Sequence, residues 1–282
     1  MNKDTNQIMA NINAYRMDGL GNNFIIIDRR QNPLEISKEQ IITLGNKKVV
    51  PFDQLITLEK EEKNIFPIKI FNPDGIEIGA CGNGSRCVAY LISKEIKQNK
   101  VKIKAEKKIL QAEIVEKQIV KINMGFPQFE WKDIPLKNEK LNPKMVLIDF
   151  LEKEYGAGIC VNIGNPHIIF FVEDCWEVDI KKIGPTVENH HYFPERINVT
   201  FAEISDDENI KIIVWERGAG QTKACGTAAC ATVIASHLKS LTKNNCNVHF
   251  KEGALQINYD KSIGNVFMTG PVSEVKKILI EV

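Results

Sequence analysis

Two stretches of this chain nearly repeat each other, ACGNGSRC at residues 80–87 and ACGTAAC at 224–230, with Cys81 and Cys225 standing 144 residues apart. The echo extends well beyond the cysteines. GLGNNFIIID returns as NIGNPHIIFF, setting Asn22 against Asn165 at an offset of 143. Gln54 in FDQLI falls opposite Asn198 in INVTF, Asn72 in FNPDG opposite Glu216 in WERGAG, and Met124 in NMGFP opposite Met268 in FMTGP, all at 144. Pairs kept in one order at a nearly constant spacing mark an internal two-fold repeat. Such a chain is expected to fold as two similar α/β halves of roughly 140 residues, each with one buried helix. The repeat places them at 1–128, carrying Cys81, and at 129–271, carrying Cys225; the last segment, 272–282, is a candidate to return to the first half.

Short runs rich in Ile, Val and Phe recur throughout: FIIID (24–28), QLITLE (54–59), FPIKIF (66–71), VKIKAE (101–106), IIFFVE (168–173) and IKIIVWE (210–216). Each has the length and β-branched content of a strand and is bounded by Gly, Asn, Pro or Asp. Ile and Val at spacing two favour strands across 101–124, although the lysines and glutamates there would also suit a helix. Helices are fewer. GNGSRCVAYLISKEIKQ (82–98) and GTAACATVIASHLKSL (226–241) start on small residues, contain no proline and are apolar on nearly every side, as helices enclosed by a sheet are. SKEQIITLG (37–45) reads as a short amphipathic helix with a Ser37/Gln40 capping box and a terminal Gly45.

The 37 basic and 36 acidic residues leave a net charge of +1, which gives no bulk electrostatic footing for nucleic-acid binding. No apolar run approaches the ~18 residues of a membrane span, so no membrane partner is expected. The polar opening MNKDTNQIMANINAYRMDG lacks the apolar core of a signal peptide. Seven cysteines, an odd number in a chain large enough to need no staples, point to free thiols in a reducing cytoplasm.

Cys81 and Cys225 both fall at expected helix starts, where unpaired N–H groups and the positive end of the helix dipole favour a thiolate. Gly82-Asn83-Gly84 and Gly226-Thr227 let the backbone approach a ligand, and their N–H groups suit a carboxylate. Two equivalent helix starts facing each other would set two thiols on opposite sides of one small anion, which is what a two-base racemase or epimerase requires. The plain alternative is that a cysteine in a buried helix is only a small apolar residue; that reading is kept for Cys87, Cys160, Cys175, Cys230 and Cys246. The spacings Cys81/Cys87 and Cys225/Cys230 do not suit a structural zinc site. GLGNNF lacks the third glycine of a dinucleotide fingerprint and GNGSRC lacks the P-loop lysine.

Taken together and in order from residue 17 to residue 271, GLGNNF, FDQL, FNPDG…ACGNGSRC, NIGNPH, FPERINVTF and WERGAG…ACGTAACA closely resemble the diaminopimelate epimerase family. The resemblance implies an α/β (α+β) fold of two pseudo-symmetric domains, each a mostly antiparallel sheet wrapped around a central helix. It implies an isomerase that works without pyridoxal phosphate or metal, inverting one Cα of LL-diaminopimelate to the meso isomer for lysine and cell-wall synthesis, and often a homodimer. Cys81 and Cys225 would be the acid/base pair, with His167 and Glu216 beside the thiols to set their protonation. On the residues alone His167 could equally be an interior hydrogen bonder, and Glu216-Arg217 a surface ion pair. The amino-acid substrate would meet Asn22, Gln54, Asn72, Asn83, Asn165, Asn198 and Arg217, with backbone groups of Gly82, Gly226 and Thr227. A guanidinium such as Arg217 suits the distal carboxylate.

Departures from the family pattern bear on this, among them Gly79-Ala80 ahead of CGNG. Asp18 replaces the usual histidine, Asn23 the usual aspartate, Lys47–Pro51 the usual glycine-bearing stretch, and Gln221 the usual acidic residue. They bear on the loops around Asn22 and Gln54 more than on the reaction. A same-fold racemase for proline, hydroxyproline or histidine is the nearest rival, though it would leave Asn72, Asn198 and Arg217 unpaired. A non-catalytic amino-acid-binding relative would be expected to lose a cysteine or its charged neighbour.

Overall fold

A computed structural model describes residues 11–46, 51–79, 81–106 and 108–281. Its backbone divides into two compact units, Met1–Gln111 with Val272–Val282, and Ala112–Pro271. Within the first lie β1 (Asn11–Gly19), β2 (Asn22–Asp28), α1 (Lys38–Asn46), β3 (Gln54–Leu58), β4 (Ile65–Phe71), β5 (Glu77–Ile78), α2 (Gly82–Ile96) and β6 (Lys100–Ala105). The division falls inside β7 (Lys108–Glu116). The second unit continues with β8 (Ile119–Gly125), α3 (Glu152–Tyr155), β9 (Ile159–Asn162), β10 (Pro166–Phe171), α4 (Ile180–Glu188), β11 (Asn198–Ile204), β12 (Asn209–Glu216) and β13 (Gly220–Gln221). It closes with α5 (Gly226–Leu238), β14 (Asn245–Phe250), β15 (Gly253–Asp260) and β16 (Asn265–Pro271); β17 (Lys276–Glu281) belongs to the first unit, where it pairs with β1.

The strand registers carry the repeat more sharply than the sequence does. In the first unit β2 runs parallel to β3 with Phe24 opposite Gln54; in the second β10 runs parallel to β11 with His167 opposite Asn198. Leu55 pairs with Phe71 and Val199 with Trp215; Phe71 pairs with Glu77 and Trp215 with Gln221. Each of these last two pairings recurs 144 residues on. Among the described residues four strand pairs are parallel and the others antiparallel, a mixed, mostly antiparallel fold. Spacing of two is seen within 101–124: β6 alternates exposed and buried residues, and β8 and its partner β16 alternate half-buried and buried ones, while β7 keeps the alternation only in its first half.

Each central helix is enclosed. Asn83–Ser93 of α2 and Gly226–Ser236 of α5 are buried throughout, and α5 touches β9–β12 and β14–β16. The helices stop short of the expected ends for a local reason. Lys97 turns left-handed at φ 54° and returns its N–H to the Ser93 carbonyl, and Ser240 turns at φ 58° beyond α5. The α1 capping box is present in both directions, Ser37 N–H to Gln40 Oε1 at 2.8 Å and Gln40 N–H to Ser37 Oγ at 3.2 Å. That helix runs one residue past Gly45; Lys47–Val50 lie outside the described residues, as does Ala80. The sequence predicts no helix at α4, whose internal Pro185 reads as a breaker; Asp179 starts it by capping the Lys182 N–H. No described helix is long and apolar enough to cross a membrane.

Candidate active site

Cys81 and Cys225 occupy the same structural position, the N-cap of α2 and of α5, with extended backbones (φ −146°, ψ 107° and φ −131°, ψ 111°). Their carbonyls accept the first helical bonds, from Ser85 N–H at 2.9 Å and Ala229 N–H at 3.1 Å. A side chain there points at the orphan N–H groups of the helix start, a position usually filled by Ser, Thr, Asp or Asn. The two sulfurs are used differently.

In the first unit the Cys81 sulfur accepts the Gly84 N–H at 3.3 Å. Gly84 has no room for a side chain: a Cβ would lie 2.7 Å from Ile56 Cδ1 and 3.2 Å from the Phe24 ring. That contact seats the helix start against β2 and β3. Asn22 and Gln54 open those two strands, and Asn22 Oδ1 and Gln54 Oε1 are buried with no hydrogen-bond partner among the described residues. Buried acceptors are usually satisfied, so two left open at the starts of the strands that Gly84 packs against mark a place for an external donor. Asn83 is almost wholly buried, while Asn72 closes the turn after β4, accepting the Gly75 N–H and donating to the Ile76 carbonyl. The departures build the neighbouring loop. Asp18 Oδ1 caps the Gly21 N–H across a left-handed Leu20-Gly21 turn, and Asn23 accepts from Arg16 and donates its N–H to Asp53.

In the second unit Cys225 donates to Glu216 Oε2 at 3.1 Å and lies 3.4 Å from the Thr227 hydroxyl. Glu216 Oε1 accepts the Thr222 hydroxyl at 2.6 Å. Burial first, and then the Glu216 carboxylate, push the Cys225 thiol well above its ordinary value, so it rests as S–H. Burial also raises Glu216, against the opposing pull of its two donors, Thr222 and Cys225. Nothing in the sequence around Thr222 signals this role. Only the β12–β13 hairpin, which pairs Trp215 with Gln221, folds position 222 back over position 216.

His167 is fully buried on β10 and bonds to Asn165 Oδ1 through Nε2 at 2.9 Å rather than to Cys225. An amide oxygen can only accept, so Nε2 carries the proton and Nδ1, which has no partner among the described residues, presents a lone pair. Asn198 donates to the Pro166 carbonyl and accepts the Arg217 N–H, and Arg217 Nη1 donates to the Glu195 carbonyl. By register Phe24 stands where His167 does, and Asn72 where Glu216 does. A buried histidine and a glutamate therefore stand at these two positions in the second half only. Among the described residues no group of three or more His, Cys, Asp or Glu side chains is placed to hold a metal ion.

A sequence model of diaminopimelate epimerase matches residues 14–130 and 159–275, one stretch in each half of the repeat. The chain belongs to the diaminopimelate epimerase family. A diaminopimelate epimerase of Pelagibacter ubique is 42% identical over 96% of this chain and 99% of its own. One from Acidiphilium cryptum is 36% identical over 92% and 93%. At 11% identity, a phenazine biosynthesis protein of the PhzF family from Enterococcus faecalis shares the fold, with a TM-score of 0.70 over 97% of this chain and all of that one. A probable proline racemase from Agrobacterium radiobacter has a TM-score of 0.63 at 13% identity, over 95% and 92%. As a diaminopimelate epimerase family member the protein is an isomerase, and the distant neighbours speak to its fold alone.

The buried histidine of this epimerase family member gives a pH signature. Burial, and then the Arg217 charge, drive His167 down to about 3. From about 6.5 downward the unfolded chain takes up a proton that the folded ring refuses. This group therefore leaves stability unchanged above that pH and lowers it as pH falls toward 3. The ring nitrogens of His167 are expected to show no titration between about pH 5 and 8 by NMR. A midpoint near the ordinary histidine value would contradict the buried neutral ring.

Proposed function

We propose that this protein epimerises one Cα of LL-diaminopimelate to the meso isomer, with Cys81 and Cys225 as the two acid/base groups. The observation that carries the reading is the unequal setting of two equivalent N-cap cysteines. Cys81 sulfur accepts an N–H at a helix start, which favours the thiolate; Cys225 donates to a carboxylate, which favours the thiol. One base and one acid are what a single turnover needs. The Cys81 thiolate takes the Cα proton and becomes a thiol; the Cys225 thiol gives its proton to the other face and becomes a thiolate. Glu216 opposes that new charge and so favours its reprotonation, resetting the site.

The family relatives support diaminopimelate as the substrate; the motif resemblance assigns Arg217 to the distal carboxylate and Asn22, Gln54, Asn72, Asn83, Asn165 and Asn198 to the remaining polar groups. The N–H groups of Gly82, Gly226 and Thr227, at the helix starts, suit the α-carboxylate and the negative charge that develops as the proton leaves. His167 Nδ1 is an acceptor suited to the substrate's α-ammonium. Cysteines that are all free thiols support a cytoplasmic setting, and the family resemblance supports a homodimer acting in lysine and cell-wall precursor synthesis.

Incubation with LL-diaminopimelate in D2O tests the reading. Deuterium is expected at Cα together with the meso isomer. Exchange with proline or another amino acid, but not with diaminopimelate, would move the assignment to the rival racemases. No exchange with any amino acid by the reduced protein would end the racemase reading altogether.

A further inference from the structure

Glu188, the last residue of α4, is a carboxylate only 4% exposed at a helix end where exposed carbonyls oppose negative charge. Both of its oxygens are nevertheless engaged. Oε2 accepts the indole N–H of Trp215 at 2.6 Å, while Oε1 accepts the backbone N–H of Gly218 at 2.9 Å and the Arg196 guanidinium at 3.2 Å. Trp215 and Gly218 are the residues immediately before and after Glu216-Arg217. One buried side chain thus clamps both ends of the dipeptide that carries the Cys225 partner and the candidate distal-carboxylate ligand.

The surroundings leave that clamp little freedom. The indole lies so close to α4 that a Cβ at Gly184 would sit 2.5 Å from Trp215 Cγ. Gly218 holds φ at +75°, a conformation that lets its N–H turn back toward Glu188 while Arg217 N–H reaches Asn198. Arg196, itself left-handed at φ 61°, links Glu188 to the segment whose Glu195 carbonyl receives the Arg217 side chain.

We propose that Glu188 is a positioning residue that sets the direction of the Arg217 guanidinium. This rests on the reading of Arg217 as the ligand of the substrate's distal carboxylate. Glu188→Gln keeps the shape, but its amide N–H₂ must face either the indole or the Gly218 N–H, donor against donor. Its kcat/KM for LL-diaminopimelate is expected to fall about tenfold, chiefly through KM. In an Arg217→Met background the same substitution is expected to change kcat/KM by less than about twofold, because the residue it acts through is gone. An unchanged KM, or equal effects in both backgrounds, would overturn the proposal. If Glu188→Gln gives no folded protein, Trp215→Phe removes the indole N–H together with part of the ring and should raise KM in the same direction; an unchanged KM there counts against the clamp. A readout without substrate separates this from the functional reading. The Arg217 Nε–H NMR resonance is expected to move toward the free-arginine position in Glu188→Gln, and an unmoved resonance refutes the proposal whatever the wild-type protein acts on.

Discussion

Cys81→Ala and Cys225→Ala are each expected to lower epimerisation by at least about a thousandfold, the scale of losing a positioned acid or base from a proton transfer. Inversion needs one group to remove the proton and a second to deliver one, so neither thiol can cover for the other. Each variant still keeps one thiol. That thiol can remove the α-proton from the isomer presented to it, exchange with solvent and return a deuteron to the same face. Each variant is therefore expected to exchange deuterium into one isomer without inverting it, and the two variants should exchange opposite isomers. Exchange and chirality are read together by NMR and chiral chromatography. A single variant that still inverts at the wild-type rate would remove the two-base mechanism, and exchange of the same isomer by both would remove the division of labour.

Glu216→Gln is expected to reduce kcat by about a hundredfold with a smaller change in KM, within the range for a group that manages a catalytic proton. The amide keeps the shape and can still accept from Thr222 or Cys225, but the negative charge beside the sulfur is gone. After burial, that charge is the next cause holding Cys225 above its ordinary value. Its removal lowers the thiol's pKa, raises the thiolate fraction at a given pH, and so depletes the proton donor before turnover begins. Alkylation of Cys225 by iodoacetamide should accordingly be faster in Glu216→Gln than in the wild type at the same pH, while the turnover is slower. An unchanged alkylation rate would show that the carboxylate does not govern the sulfur.

Much of this site was legible before folding was considered. Cys81 and Cys225 could be singled out from seven cysteines because each precedes a run of small residues that opens an apolar helix, and the structure places both at N-caps. Asn22 and Gln54 were legible only through the repeat and the family resemblance. An asparagine at a turn is ordinarily a turn former, and it takes the folded structure to show that these amide oxygens are buried without partners among the described residues. Thr222 and Glu188 carried no signal at all. Thr222 reaches Glu216 through a hairpin, and Glu188 reaches Trp215 and Gly218 across a gap of 27 and 30 residues from a helix whose proline disguised it.

The sequence by itself determined the two-fold repeat, the strand-rich halves each built on an enclosed helix, and which two cysteines begin those helices. These follow from local rules, since apolar periodicity, small residues and spacing are written along the chain. Only the tertiary structure decided that the two halves are chemically unequal. Parallel register sets Phe24 and His167 at matching places, and the β12–β13 hairpin gathers Glu216, Thr222 and Cys225 into one hydrogen-bonded group. The protonation of a thiol depends on burial and on charges a few ångströms away, and these are set by packing between segments distant in the chain.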